Sequence, residues 1–130
     1  MLACDAMTLQ EYIEQTILPQ YDAFDGGHRR DHAQMVIDES LKLAREHGAD
    51  EQMAYAIAAY HDLGLRIDRE KHHIYSGEIL MADANLRQWF TQEQLQVMRP
   101  YLSVNLLLNL LKKSKSRFLK KAVFFSALEM

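Results

Sequence analysis

The sequence predicts an all-α protein: a single compact domain of about five to six helices. Three observations carry that reading. Apolar residues recur at helical spacing, and the Val/Ile/Thr alternation of strands is absent. Helix-opening signals precede the apolar runs. Proline and glycine are scarce, 2 and 5 in 130 residues, so little interrupts the helices. With no internal repeat and no linker, the length suits one domain.

The elements follow in order. Thr8 with Glu11 forms a capping box opening a first helix that is expected to stop near Pro19. A second runs from Asp31 to His47, with Ala33, Val36, Ile37, Leu41 and Ala44 as its apolar stripe and Gly48 as its stop. Asp50 caps a third, which passes through Met53, Ala54, Ile57 and Ala58 to His61 and breaks at Leu63-Gly64. Residues 65–72 read as a charged connection. A fourth helix is expected from about His73 to Leu86, with Ile74, Leu80, Met81 and Ala84 toward the core. Thr91 with Gln94 is a second capping box, opening a fifth helix through Leu95 and Met98. Pro100 suits a helix start or a break, and the tail has the composition for one more helix.

Composition excludes several classes. Hydrophobic residues at 48% and charged residues at 25% exclude a disordered or low-complexity chain. The single cysteine, Cys4, has no intrachain partner, which makes a reducing compartment the default. The longest nearly apolar stretch, 101–111, contains Ser103, Asn105 and Asn109 and is too short to span a bilayer. The first residues lack the basic region and apolar run of a signal peptide. A soluble, cytoplasmic protein is expected. Charge is uneven: residues 1–99 hold 9 Lys+Arg against 17 Asp+Glu, whereas 100–130 hold 6 against the single acid Glu129. The acidic body argues against a nucleic-acid-coating surface.

All six histidines precede residue 99, and three places set histidine beside acid or base. Gly26-Gly27-His28-Arg29-Arg30-Asp31-His32 offers two histidines four apart, on one face if helical, after glycines that permit close backbone approach. His61-Asp62 ends an apolar helix. Adjacent side chains diverge by about 100° on a helix, so this pair reaches one ion only from a helix end, which Gly64 supplies. Lys71-His72-His73 sits at the start of the fourth helix. Neutral imidazole with carboxylate suits Zn, Mn, Fe or Ni rather than Ca or Mg alone. An ion held so polarises a phosphoryl oxygen and brings the pKa of a bound water to about 7. Lys71, His72 and His73 then serve phosphate oxygens or a second metal. Each feature also has a plainer reading. A histidine on an apolar face is commonly a satisfied core residue, His47 suits the cationic end of a helix, residues 71–73 suit a solvated loop, and the two glycines suit a turn.

Taken together, these segments resemble the HD-domain superfamily of metal-dependent phosphohydrolases. Asp31-His32-Ala33-Gln34-Met35-Val36 is similar to its first histidine element. Ala58-Ala59-Tyr60-His61-Asp62-Leu63-Gly64 is similar to its His-Asp element, and the separation of His32 and His61 is typical of it. His72-His73-Ile74-Tyr75-Ser76-Gly77-Glu78-Ile79-Leu80 resembles the segment that follows in many members, where a histidine serves phosphate or a second metal. The resemblance covers about residues 20–99. It implies an HD-type helical fold and metal ligation by His32, His61 and Asp62. It also implies hydrolysis of a phosphomonoester or phosphodiester, often in a nucleotide. On that reading Asp62 also orients or deprotonates water, with Lys71 and His72 as the other catalytic candidates. His28, Arg29, His72 and His73 would bind substrate. The cofactor is a divalent ion (Mn, Zn, Fe, Ni or Mg), and the partner is a small phosphorylated substrate.

The family's last ligand, an Asp on a later helix, has no counterpart, since Glu129 is the only acid after Glu93. The chain therefore divides into an HD-type helical core, 1–99, and an atypical basic Leu/Lys-rich tail, 100–130, within the same domain. Eight leucines fall in those 31 residues. The missing Asp and the charge swing suggest that this tail replaces an ancestral C-terminus, for instance by a frameshift. Leu102, Leu106 and Leu110 share a helical side, which suits core or homodimer contacts more than a membrane surface. The alternative to an enzyme is a degenerate, non-catalytic HD-type module for binding or dimerisation.

Overall fold

The computed structural model describes residues 7–24 and 29–103, apart from the side chain of Arg29. The tail beyond Ser103, with its expected helix and dimer contacts, lies outside the described residues. Every regular element described is helical, as the apolar spacing predicts. The α-helices are α1 (Leu9–Tyr12), α2 (Arg29–His47), α3 (Glu51–Tyr60), α4 (His72–Ala82) and α5 (Gln92–Met98). No helix among them is long and apolar enough to cross a membrane.

The first helical segment does not stop at Pro19. Thr8 and Glu11 close the expected capping box. The chain then widens into a π turn over Ile13–Ile17, where the Leu18 N–H bonds to the Ile13 carbonyl. It continues as a 3-10 helix over Leu18–Ala23, with Pro19 in its first turn. A proline is tolerated in a first turn, where its fixed φ already suits the helix. The apolar series Leu9, Ile13, Ile17 and Tyr21 therefore stays on one buried side.

The central element is α3. Seven of its ten residues are buried, four of them alanines, so neighbours approach closely. It packs against α2, the π turn, α4 and the Arg99–Leu102 3-10 turn. Asp50 accepts the Met53 N–H and opens it as expected. Before it, α2 ends at Gly48 with φ +69°, and the Ala49 N–H reaches back to the Ala44 carbonyl at 2.8 Å. This is the left-handed stop for which glycine is suited. The stripe Ala33, Val36, Ile37 and Ala44 is buried, with Leu41 half-buried.

The fourth helix corrects two expectations. It runs over His72–Ala82 and ends at Asp83, whose side chain opens a separate 3-10 turn, Ala84–Gln88. Ile74 is 50% exposed and Ala84 is exposed. The inward face is Ser76, Gly77 and Leu80. Ile74 lies two residues, about 200°, from Ser76 around the helix. That face was chosen by a backbone contact. A Cβ on Gly64 would stand 2.0 Å from the His72 carbonyl oxygen and 2.6 Å from the Ser76 nitrogen. Only glycine lets the Leu63–Arg66 3-10 turn rest against the start of α4. The second capping box, Thr91 with Gln94, opens α5 as expected.

Candidate metal centre

The centre forms where three chain segments meet: the first turns of α2, the C-terminal end of α3 and the start of α4. Because α3 ends at Tyr60, His61 is its cap residue and Asp62 leaves helical geometry at φ −108°, ψ 4°. This lets the two adjacent side chains turn toward each other instead of diverging. Both are buried, His61 at 1% and Asp62 at 5% exposure.

His61 Nδ1 lies 2.5 Å from the Ala58 carbonyl oxygen. A carbonyl only accepts, so Nδ1 carries the proton, and in the neutral ring Nε2 presents a bare lone pair. That Nε2 is buried without a hydrogen-bond partner, yet it stands 3.2 Å from Asp62 Oδ2. His32 Nε2, from α2, approaches the same oxygen at 3.8 Å. The donor atoms of His32, His61 and Asp62 all fall within 4.8 Å of one another, a group able to hold a metal ion. Bonds of about 2.0–2.2 Å at tetrahedral to octahedral angles set donors about 2.8–3.6 Å apart. The His61–Asp62 pair, at 3.2 Å, matches that spacing, and the partly exposed His32, 3.8 Å from Asp62, must move inward to complete it. The group could therefore hold a metal ion, with one imidazole held from behind by a carbonyl, as metal-ligating histidines commonly are.

His72 approaches from the other side. Its Nε2 is 3.4 Å from Asp62 Oδ1, and its Nδ1 faces the Arg69 carbonyl at 3.1 Å. Asp68 orders the preceding loop by accepting the Glu70 and Lys71 N–H groups. Asp62 thus offers one oxygen to His32 and His61 and the other to His72. Burial by itself pushes the Asp62 carboxyl up; where the facing imidazoles are protonated, a hydrogen bond and charge from His61, with the charges of His72 and His32, hold it below its ordinary value.

The structure brings His32, His61, Asp62 and His72 together. Lys71 and His73 are exposed at the same helix start, with the His73 ring edge-on to that of His72 at 5.9 Å. His28 and the side chain of Arg29 lie outside the described residues, as do Gly26 and Gly27.

Two fully buried hydroxyls at the site carry no signal in the histidine pattern. Tyr21 Oη donates to the Ala59 carbonyl at 2.6 Å and accepts the Asp62 N–H at 3.2 Å. Ser76 Oγ donates to the His61 carbonyl and accepts the Gly64 N–H, both at 2.8 Å. Helix-spaced apolar residues continuing past Pro19 would have placed Tyr21 in the core; nothing in the sequence marks what its hydroxyl meets. A third group pins the same helix from outside the centre. Tyr12 and Tyr60 both donate to Asp83 Oδ2, at 2.7 and 2.6 Å.

No family model, curated protein or solved structure matches the chain.

Proposed function

We propose that the chain is a cytoplasmic metal-dependent phosphohydrolase acting on a small phosphomonoester or phosphodiester, nucleotides included. The observation that carries the proposal is the buried His61 Nε2. A lone pair without a hydrogen bond faces a carboxylate oxygen 3.2 Å away. Two electron-pair donors held so close repel unless a cation lies between them. His32 adds a third donor, which favours a metal ion over a proton.

In this reading His32, His61 and Asp62 hold the ion. A divalent ion supplies Lewis acidity toward a phosphoryl oxygen. Asp62 Oδ1, on the side away from His32 and His61, would take a proton from water as the water oxygen bonds to phosphorus and the P–O bond to the alcohol breaks, the departing oxygen taking a proton from solvent. His72, with its Nδ1 proton directed to Arg69, presents Nε2 to the phosphate. In its charged form that nitrogen donates a hydrogen bond to a phosphoryl oxygen and steadies the charge that develops there. Lys71 and His73, exposed at the same helix start, add positive charge or donors for the outer phosphate oxygens.

A second reading, a non-catalytic HD-type binding module, is favoured by one observation: after Glu93 the sequence holds no Asp to complete the family's ligand set. The two readings separate experimentally. Elemental analysis after purification without chelator or nickel resin should give about one transition metal per chain, lost in His32→Ala. Turnover of p-nitrophenyl phosphate or bis(p-nitrophenyl) phosphate that requires that metal supports the enzyme. Metal without turnover favours the binding module. No metal even after incubation with excess Mn or Zn refutes the enzyme and leaves the binding module.

A further inference from the structure

We infer that Tyr21 and Ser76 are positioning residues for the metal ligands, a pair of buried hydroxyls that sets the backbone of His61-Asp62 from opposite sides. The inference rests on the metal centre proposed above. The backbone of residues 59–64 must leave the helix, turn, and still present two adjacent side chains to one point. Helix ends leave carbonyl and N–H groups without intrahelical partners, and here those groups are buried and cannot turn to water. Each needs a protein partner, because a buried backbone group left bare keeps its full desolvation penalty.

The two hydroxyls meet this need in a matched way. Each donates one hydrogen bond and accepts one, and together they hold the Ala59 and His61 carbonyls and the Asp62 and Gly64 N–H groups. Tyr21 grips the peptide groups on either side of Tyr60 and His61 from the Leu18–Ala23 turn. Ser76 grips those on either side of Asp62 and Leu63 from α4. Both are fully buried, so water cannot replace either bond. Neither hydroxyl bonds to a ligand side chain; both act through the backbone that aims the ligands. The same carbonyl-rich helix end also orients the His61 ring, through Ala58. Partners of this kind commonly change metal affinity by about 10–100-fold when removed.

The test is titration of the purified full chain with Co(II), followed by visible absorption, for wild type, Tyr21→Phe, Ser76→Ala and Tyr60→Phe. Tyr60→Phe removes an equally buried hydroxyl from the neighbouring residue, but one bonded to Asp83 and not to the backbone of 59–64. Tyr21→Phe and Ser76→Ala should each bind Co(II) about 10–100-fold more weakly than wild type, with shifted absorption bands. Tyr60→Phe should lose thermal stability while keeping wild-type affinity and bands. Because the hydroxyls act from different elements, either variant decides the matter if the other fails to fold. Wild-type affinity and bands in Tyr21→Phe or Ser76→Ala overturn the inference, and so does an equal loss in Tyr60→Phe. A wild-type chain that binds no Co(II) removes the metal centre itself, and the inference with it.

Discussion

Gly64→Ala should be the most damaging single-methyl change in the described fold. The added Cβ would stand 2.0 Å from the His72 carbonyl oxygen and 2.6 Å from the Ser76 nitrogen, both backbone atoms that cannot rotate away. Relief to an ordinary contact of 3.4 Å requires the start of α4 to retreat by about 1.4 Å. The Ser76 Oγ to Gly64 N–H bond, now 2.8 Å, then passes out of hydrogen-bonding range. Overpacking strain of about 1–3 kcal/mol adds to about 1–3 kcal/mol for the buried N–H left bare. The total is about 2–6 kcal/mol, a large part of the about 5–15 kcal/mol by which domains are stable. For a chain of this length that lowers Tm by about 8–24 °C. Gly48→Ala supplies the contrast. Its φ is +69° with nothing within 4 Å of the new Cβ, so only left-handed strain of about 1–2 kcal/mol applies. The assay is thermal unfolding by circular dichroism for both variants, with Co(II) affinity as a second readout, because the retreat also draws His72 from Asp62. A Tm for Gly64→Ala within 2–3 °C of wild type, or above that of Gly48→Ala, refutes the reasoning.

Three further outcomes follow from the same contacts. Asp83→Ala should cost about 2–4 kcal/mol, because it strips the Tyr12 and Tyr60 hydroxyls of their shared acceptor; urea unfolding reads the loss, and an unchanged midpoint contradicts the network's role. Burial pushes the Tyr21 hydroxyl up, and burial with the Asp83 hydrogen bond does the same for Tyr60. Their contribution to stability is therefore full below the unfolded value of about 10 and lost as pH rises from there toward the folded values. Tm measured from pH 8 to 12 should fall above pH 10, less steeply in Tyr21→Phe/Tyr60→Phe; equal slopes would contradict the assignment. Saturating metal, at about 100 times its dissociation constant, should add about 2.7 kcal/mol of stability, reversed by chelator and absent in Asp62→Ala, as differential scanning calorimetry can establish.

Much of the fold was legible in the chain because local rules dictate it. Thr8, Asp50 and Thr91 cap where their hydroxyl or carboxylate meets an open N–H, and Gly48 ends α2 because the chain there needs positive φ. The metal candidates were legible too, since His32, His61 and Asp62 are the residue types such chemistry uses. What the sequence left open was the direction of each side chain. Ile74 looks like a core residue, but Gly64 against His72 and Ser76 turns the opposite face of α4 inward. Pro19 looks like a stop, but its fixed φ suits the first turn of a 3-10 helix, and the chain carries Tyr21 on to Ala59 and Asp62. Convergence of His32, His61, Asp62 and His72 depends on three helices packed at one end, and the bare Nε2 of His61 depends on a carbonyl three residues behind it. The sequence by itself determined the helices, their caps and the residues able to take part in metal chemistry, because those follow from neighbours a few positions apart. Only the tertiary structure decided which of them meet, because contacts between distant segments are selected by burial and by the hydrogen bonds that buried backbone must find.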